Sequence, residues 1–552
     1  MPRDPSRRRF LQTLCGGLVV AGVASLLPRD GLAADISLAD RIDLLYSNQF
    51  HFDPQGRPRI AIGVIQGRKE VALSAKGGLS ALPSGDGGTA IAGGGHWRIR
   101  VADGQPAQQR FRLVLDALQA GELRRVASES ERWRKRGFTI DEREVGSLFG
   151  VAGTVLDTRK ILLTTGEFSS EREADEAARE LADRWGILPR LHPEVDRRAS
   201  GKLIAEDLET GIEIRAEGVL WFAPRSAATI GVHDVQTDAG LARRDYRGQI
   251  YVTIDRHGKL AVVNQVGESD VLAGLVPAEI YASAPMEALK AQAIAARGQL
   301  LAKIGSRHLD DPFLLCAHEH CQVYAGTSRE HERTSAAVER TIGRVLMRPN
   351  ETELVDTVYS ANCGGHSEDN EQVWPSPADP QLRGQADPKL GEKFAKGIDE
   401  HNIAAWLRDN PDSYSRPSGK LSTSYRWTTT VDPAGIAGNP HVPDDLGKLV
   451  SIRIAARGRS GRATEVELLG ADSSTTIHGE LKIRQALGGL KSSAFLVDAD
   501  RDERGHFVLR GAGHGHGVGL CQHGAIGMAE AGKTYGPILA HYYQGAKLVR
   551  LW

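Results

Sequence analysis

The stretch GAGHGHGVGLCQHGAIGMA, Gly511 to Ala529, places seven glycines, three histidines and one cysteine in nineteen residues. Each glycine adds backbone entropy that folding must remove, so neither a helix nor a strand carries so many without a compensating use. The residues alone leave three uses: a metal site on His514, His516 and His523, a phosphate cradle, or a bare-backbone wall against which a bulky substrate lies. The phosphate cradle is disfavoured, because no Lys-Ser or Lys-Thr follows the glycines and no dinucleotide-type strand precedes them.

The N-terminus bears on the compartment. SRRRFLQ, Ser6 to Gln12, leads into an uncharged run ending at Leu27, then Pro28 and the small residues of GLAAD. A charged head, an apolar stretch and a small-residue cleavage site read as an export signal over residues 1–34, with Ala33 or Ala34 the last residue removed. Arg7 and Arg8, followed by Arg9-Phe10-Leu11, fit the twin-arginine pattern. An uncleaved anchor is the alternative, but the run is only marginally long for a span and rich in Gly and Ala. The expectation is an exported protein, periplasmic or wall-associated, with no transmembrane anchor after cleavage. The chain has a net charge of −1, and the signal's five arginines against two aspartates leave the remainder near −4. That gives no basic field of the kind nucleic acid requires.

Cys15 falls in the signal, so Cys316, Cys321, Cys363 and Cys521 remain. An even number in an exported protein favours disulfides. Folding in a reducing cytoplasm before twin-arginine export would instead leave thiolates for a metal.

Three regions follow the signal. Residues 35–105 read as β-rich, from RIAIGVIQG, KEVALSAKGG and HWRIRV. Residues 106–200 read as a small α/β region. Its clearest part is KILLTTGEF, then a helix with Ser170 and Glu173 as a capping box and Ala174, Ala177, Ala178, Leu181 and Trp185 on one face, then LPRLHP. This strand–helix–strand unit, at about 155–195, distantly resembles the sporulation-related repeat that binds peptide-stripped glycan, although any ordinary βαβ unit has the same pattern. Residues 203–552 carry the strands LWFAP, QIYVTI and KLAVVNQV, one strong helix, two loops of unusual chemistry and a closing helix–strand pair, GPILAHYYQGAKLVRLW. HNIAAWLRDNPDSYSRPSGK, rich in Pro, Ser and charge, reads as an inserted surface segment.

In the strong helix Pro285 suits the first turn, and Met286, Leu289, Ala293, Ala296 and Leu300 form a buried seam. Lys290 and Arg297, seven apart, flank that seam on nearly the same side. Glu279 lies before this helix, in a turn after LVP. CAHEHCQVYAG supplies four candidate ligands, Cys316, His318, His320 and Cys321, in six positions. In VYSANCGGHSEDN a strand runs into Gly364-Gly365 and a polar loop.

VPAEIYASAPMEALKAQAIAAR, CQVYAG, YSANCGGHSEDNEQVW and GHGHGVGLCQHGAIGMAEAGKTYGPILAHYY stand in the order found in the stage II sporulation protein D (SpoIID) family, which includes the LytB amidase enhancers. The resemblance covers about residues 203–552. It implies an α+β fold with a β-rich catalytic domain. It also implies lytic transglycosylase activity, cutting peptidoglycan between N-acetylmuramic acid and N-acetylglucosamine on strands stripped of stem peptides, with an anhydromuramic product. Glu279 takes the place of the catalytic acid, and Lys290 and Arg297 those of groove-lining cations. Gln322, Tyr324, Ser360, Gly364, Gly365, His366, His516 and Gln522 fall in the segments expected to bind substrate. One carboxyl suffices for this chemistry: it protonates the glycosidic oxygen, then takes the proton of the sugar's own C6 hydroxyl as that attacks. The second carboxylate of ordinary glycosidases is dispensable. Glu279 then needs a raised pKa from partial burial.

Enhancer-type relatives share these motifs, so a glycan-binding partner of a cell-wall amidase is the rival reading, and a metal hydrolase on the histidine-rich loop is the second. Catalysis of the first kind requires no cofactor. Some family members hold a structural zinc on one histidine and two cysteines. Carried over, these are His308, Cys316 and Cys321, with His318 and His320 competing and a Cys316–Cys321 disulfide as the alternative. Cys363 and Cys521 stand where serine is frequent, and a disulfide joining their two loops is the preferred reading.

Overall fold

The computed structural model describes residues 42, 44–47 and 51–552, apart from 84–88, 152, 186–188, 227–228, 238, 319, 417–422 and 437. The export signal expected at 1–34, with Arg7, Arg8 and Cys15, lies outside the described residues. The architecture is α+β and strand-rich.

RIAIGVI is apolar without alternation, as in a strand covered on both faces. It forms the strand Pro58–Arg68 inside an eight-stranded sheet. That sheet runs 51–52, 58–68, 260–267, 249–254, 219–224, 79–82, 91–92, with 315–316 added parallel to 58–68. A six-stranded sheet runs 213–217, 200–207, 96–105, 70–74, 230–237, 240–246. Ile62, Trp97, Leu203, Phe222 and Val262 share one core with strands of both sheets.

The expected boundary near 203 is therefore corrected. Val263 pairs with Gly63 and Leu203 with Val101, so the first strands and those after 200 build the same sheets. A strand's own sequence cannot name a distant partner, yet its open edge must be paired or covered.

Residues 108–197 form a unit inserted between those strands. Strands 108–119, 141–145, 160–168 and 190–197 alternate with helices α1 (Leu123–Lys135) and α2 (Glu171–Trp185). The antiparallel order 190–197, 108–119, 160–168, 141–145 is that of a split β-α-β-β-α-β unit. The strand–helix–strand expected at 155–195 is present, but strand 108–119 separates its two strands. Val126 and Trp133 of α1 pack on Leu118 and Leu163 of the sheet. At the start of α2 the Glu173 N–H donates to Ser170 Oγ (3.3 Å), while the Glu173 carboxylate accepts from Ser169, one residue earlier than expected.

Helices α3 (Glu268–Glu279), α4 (Met286–Ala302), α5 (Glu332–Arg340), α6 (Gln522–Glu530) and α7 (Tyr535–Tyr542) form a second core. Of the expected α4 seam Leu289, Ala293, Ala296 and Leu300 are buried and Met286 is half-buried, while Ala288, Ala291, Ile294 and Ala295 on its other faces are buried too. Alanines let α3, α5, α6 and α7 close around α4. The closing helix–strand pair is present, with Lys547–Arg550 paired to Arg344–Met347.

Residues 426–512 add two three-stranded sheets with their own core. The segment expected to lie on the surface instead contains the short helix Ile403–Asp409, whose Ile403 and Trp406 are fully buried. The Arg426 guanidinium sits 4.3 Å from the Trp406 ring centre. Polar composition hid an apolar pair spaced i, i+3 on one helical face.

Candidate functional site

Val271, Leu272, Leu275 and Val276 anchor α3 in the core, and Glu279 is its last residue. The expected turn is thus a helical end: Pro277 is accommodated in the final turn, and Ile280 becomes extended. Unpaired carbonyls at a helix C-terminus disfavour a carboxylate. Burial raises the Glu279 pKa, opposed by a hydrogen bond from the Tyr359 hydroxyl and by the charges of Lys303 and Arg329. The result is a carboxyl that holds its proton above the ordinary range, as a general acid must.

Tyr359 is positioned from the histidine-rich stretch. Tyr359–Ser360 pairs parallel with Leu520–Cys521. His516 Nε2 lies 2.9 Å from the Tyr359 carbonyl, and His516 Nδ1 accepts the Val518 N–H at 3.1 Å. One ring nitrogen donates and the other accepts, so the imidazole is neutral. Burial pushes its pKa down to about 3. Burial and the neighbouring carboxylate raise the Tyr359 pKa well above the ordinary phenol value, leaving the hydroxyl a donor.

The glycines let the stretch approach the protein itself. Gly519 has φ 68°, and a Cβ there would collide with the Val358 carbonyl. Across the seam Gly364, at φ 81°, abuts the Gly513 amide, and Asn362 and His514 exchange backbone hydrogen bonds of 3.0 and 2.8 Å. The expected bare wall is thus filled by the chain's own loops at these positions. The loop histidines also do not converge: His514 is exposed, His516 is committed, and His523 lies 6.5 Å edge-on to Tyr281. Among the described residues they form no metal-ligating group.

The other expected site residues divide sharply. Arg297 is 0 % exposed, donates to Glu268 at 2.5 Å and binds the Thr341 and Arg344 carbonyls at 2.8 and 3.2 Å. It staples the helical core and lines no groove. Lys290 pairs with Glu287 at 2.6 Å and lies over the Tyr535 ring. Gln322 binds Gln299, and Tyr324 donates to Asn264 at 3.0 Å, both in the core. His366 is buried, its Nδ1 2.7 Å from the Ser367 carbonyl. Gln522 binds Gln292 at 3.4 Å, and Gly365 (φ 109°) continues the turn of Gly364. Ser360, beside Tyr359, is buried with its hydroxyl unpartnered.

Three aromatic residues escaped the sequence reading. Tyr359 holds Glu279, Trp374 packs on His516 (ring centres 4.9 Å apart), and Tyr281, two residues past Glu279, is 56 % exposed. The only signal for them was their place inside the chemistry-bearing segments.

His308, Cys316, His320 and Cys321 bring their ligand atoms within 4.8 Å of one another. The expected set of three gains His320, while His318 is exposed outside the group. Asp311 Oδ2 takes the second nitrogen of His308 at 2.8 Å, the outer-shell carboxylate usual behind a ligating histidine. Hydrogen bonds from the Cys321 thiol and His308 depress the Cys316 pKa, favouring its thiolate. The four cysteines among the described residues are buried free thiols. Cys363 and Cys521 are neighbours as expected, without an S–S bond: the Cys363 N–H donates to Cys521 Sγ at 3.1 Å.

Fold and site define a strand-rich α+β protein with a shielded carboxyl at a helix end, and comparison with known proteins is specific. Residues 256–347 match the family described as stage II sporulation protein, SpoIID, and residues 368–519 match a domain of unknown function, DUF8618. An uncharacterised protein of Brachyspira hyodysenteriae is 29% identical over 318 residues, 58% of this chain and 76% of its own. An amidase enhancer of Bacillus subtilis is 30% identical over 304 residues, 50% of this chain and 40% of the enhancer. Stage II sporulation protein D of Bacillus amyloliquefaciens is 26% identical over 334 residues, 57% and 83% respectively. Together these matches support assignment of the chain to the SpoIID family. No described helix is long and apolar enough to cross a membrane.

Proposed function

We propose that the protein is a peptidoglycan lytic transglycosylase, acting on peptide-stripped glycan with Glu279 as the single acid–base residue. The observation that carries this reading is the Glu279 carboxyl at the end of α3, its pKa raised by burial against the opposing effect of Tyr359. The protonated carboxyl donates to the glycosidic oxygen. The carboxylate so formed, still held by the Tyr359 hydroxyl, accepts the proton of the C6 hydroxyl as it closes the anhydro ring. Mass spectrometry of products from stripped glycan tests this: anhydromuramic ends support it, and reducing ends point to a hydrolase.

A second reading is favoured by the relative named amidase enhancer: a glycan-binding stimulator of a wall amidase. It predicts glycan binding and amidase stimulation with no cleavage. We also propose that His308, Cys316, His320 and Cys321 hold a structural zinc, which these ligand types and their convergence suit. Export is inferred from the signal at 1–34; replacing Arg7 and Arg8 with Lys should retain the protein in the cytoplasm.

A further inference from the structure

The turn that follows Glu279 holds a large side chain out in the open. Ile280, extended and buried, fixes the chain in the helical core directly after the acid. The Tyr281 carbonyl then accepts the Ala284 N–H at 2.9 Å, closing a turn over 281–284. Arg333 of α5 clamps that turn, its Nε donating to the Ala282 carbonyl at 2.9 Å and its Nη2 to the Ala284 carbonyl at 2.8 Å. From this fixed backbone the Tyr281 side chain stands in solvent, 56 % exposed. Among the described residues its hydroxyl has no hydrogen-bond partner. A ring held outward in this way contributes little to folding, since most of its apolar surface stays in water.

Two routes tie this ring to the acid. Along the chain, Glu279 and Tyr281 are two residues apart, so their Cα atoms lie within about 7 Å. Across the fold, Tyr359 reaches Glu279 with its hydroxyl, and Ala361, two residues on, accepts the His523 N–H at 3.1 Å. The His523 ring, in the first turn of α6, then lies 6.5 Å edge-on to Tyr281. Glu279, Tyr359, His523 and Tyr281 thus close a circuit, and Glu279 is only half-buried, open to a ligand beside the ring. An edge-on neighbour leaves at least one face of the Tyr281 ring free. His523 adds a polar group: it is 8 % exposed, and among the described residues neither ring nitrogen has a hydrogen-bond partner. Burial and His514 lower its pKa, so the imidazole is uncharged at neutral pH, with one donor and one acceptor nitrogen. Such a group calls for a partner from outside the chain.

We propose that Tyr281 and His523 form a saccharide platform beside the acid, where a sugar ring of the glycan strand lies on the Tyr281 face and His523 hydrogen-bonds its polar rim. A pyranose presents C–H bonds on its face and hydroxyl or acetamido groups around its edge. The partly positive C–H hydrogens meet the negative π-face of the phenol, while the rim groups pair with the imidazole nitrogens. Neither protein group is charged, which suits an uncharged sugar ring. The clamp of Arg333 on the turn fixes the ring before the ligand arrives, so little freedom is lost on binding. Glycan as the occupant rests on the function proposed above, but the platform serves a cutting and a non-cutting glycan binder alike.

The test uses the full chain in the Glu279→Gln background, where no strand is consumed, with peptide-stripped glycan as the probe and calorimetry as the readout. Tyr281→Ala should weaken binding by at least about tenfold, as truncation of an aromatic anchor does. Tyr281→Phe and Tyr281→Trp should retain binding, since each keeps a ring face. His523→Phe keeps a flat ring without nitrogens and should weaken binding by about two- to tenfold. Melting temperatures of the Tyr281 variants should match the parent's, which separates lost binding from lost fold. Equal binding by Tyr281→Ala and its parent overturns the platform, and leaves the transglycosylase standing if the wild type releases anhydromuramic ends. Ring-dependent binding in a protein that cuts no glycan keeps the platform and rejects the transglycosylase. Glycan binding unmoved by Tyr281→Ala, with stimulation of a wall amidase lost, overturns the platform and makes Tyr281 a protein contact. A parent that binds no glycan overturns the platform and the glycan reading together.

Discussion

The Tyr359 hydroxyl donates to the Glu279 carboxyl, and the Tyr359 backbone is itself held by His516 at 2.9 Å. The histidine-rich stretch thus reaches the acid through a tyrosine. The Tyr359 bond favours the ionised carboxylate, so Tyr359→Phe should raise the Glu279 pKa further. A hydrogen bond to a charged group contributes about 1.5–3 kcal/mol, equivalent to roughly one to two pH units. The limb of the kcat/KM profile that requires the protonated carboxyl should move upward by that amount. An unmoved profile would mean that the phenol does not act on the acid.

Glu279→Gln should reduce anhydromuramic product release by about 10²–10⁴-fold or more, while glycan binding survives. Its stability carries a second signature. The folded-state pKa of Glu279 is raised, so ionisation opposes folding at every pH above that value and has no effect below the unfolded value. The variant should melt higher than the wild type at neutral pH, with the gap closing as pH falls through the range below the raised pKa. A variant that melts lower at neutral pH would contradict a shielded, reluctant carboxylate.

Arg297 provides a direct contest between groove and core. Arg297→Met leaves Glu268, 1 % exposed, without its partner. Breaking such a buried pair costs about 3–5 kcal/mol, and Glu268→Gln/Arg297→Met should recover part of it. Urea unfolding measures both. Unchanged stability with weakened glycan binding would restore Arg297 to the groove.

For the metal, elemental analysis should find about one zinc per chain, in keeping with a four-ligand structural site. His320→Ala should lose metal and melting temperature, whereas His318→Ala should keep both. Asp311→Asn should weaken metal retention by about 10–100-fold through His308. Equal effects at His318 and His320 would reject the four-ligand set.

Gly519→Ala should destabilise the protein by about 1–3 kcal/mol or more, because its positive φ and the Val358 carbonyl both exclude a Cβ. Thermal melting against Gly532→Ala, which also has positive φ but open space around it, separates collision from backbone strain.

Local order was legible because local residues produce it. Proline and alanine spacing marks α4, the closing helix–strand pair is written in GPILAHYYQGAKLVRLW, and three of the four clustered ligands lie in one six-residue window. Glu279 was found through its motif rather than through its environment. Periodicity sets the angle of a side chain about a helix axis but says nothing of what stands opposite. Lys290 and Arg297 share a side, yet only the packing of α5 and Glu268 around α4 decides that Arg297 is sealed in the core. Pairing of Tyr359 with Leu520 brings a phenol to an acid far away in the chain, and the strands at 58–68 and 96–105 each take a partner from beyond residue 200. Such contacts follow from non-local strand pairing and from shared burial, which act between segments, so the tertiary structure alone determined which of the expected site residues meet.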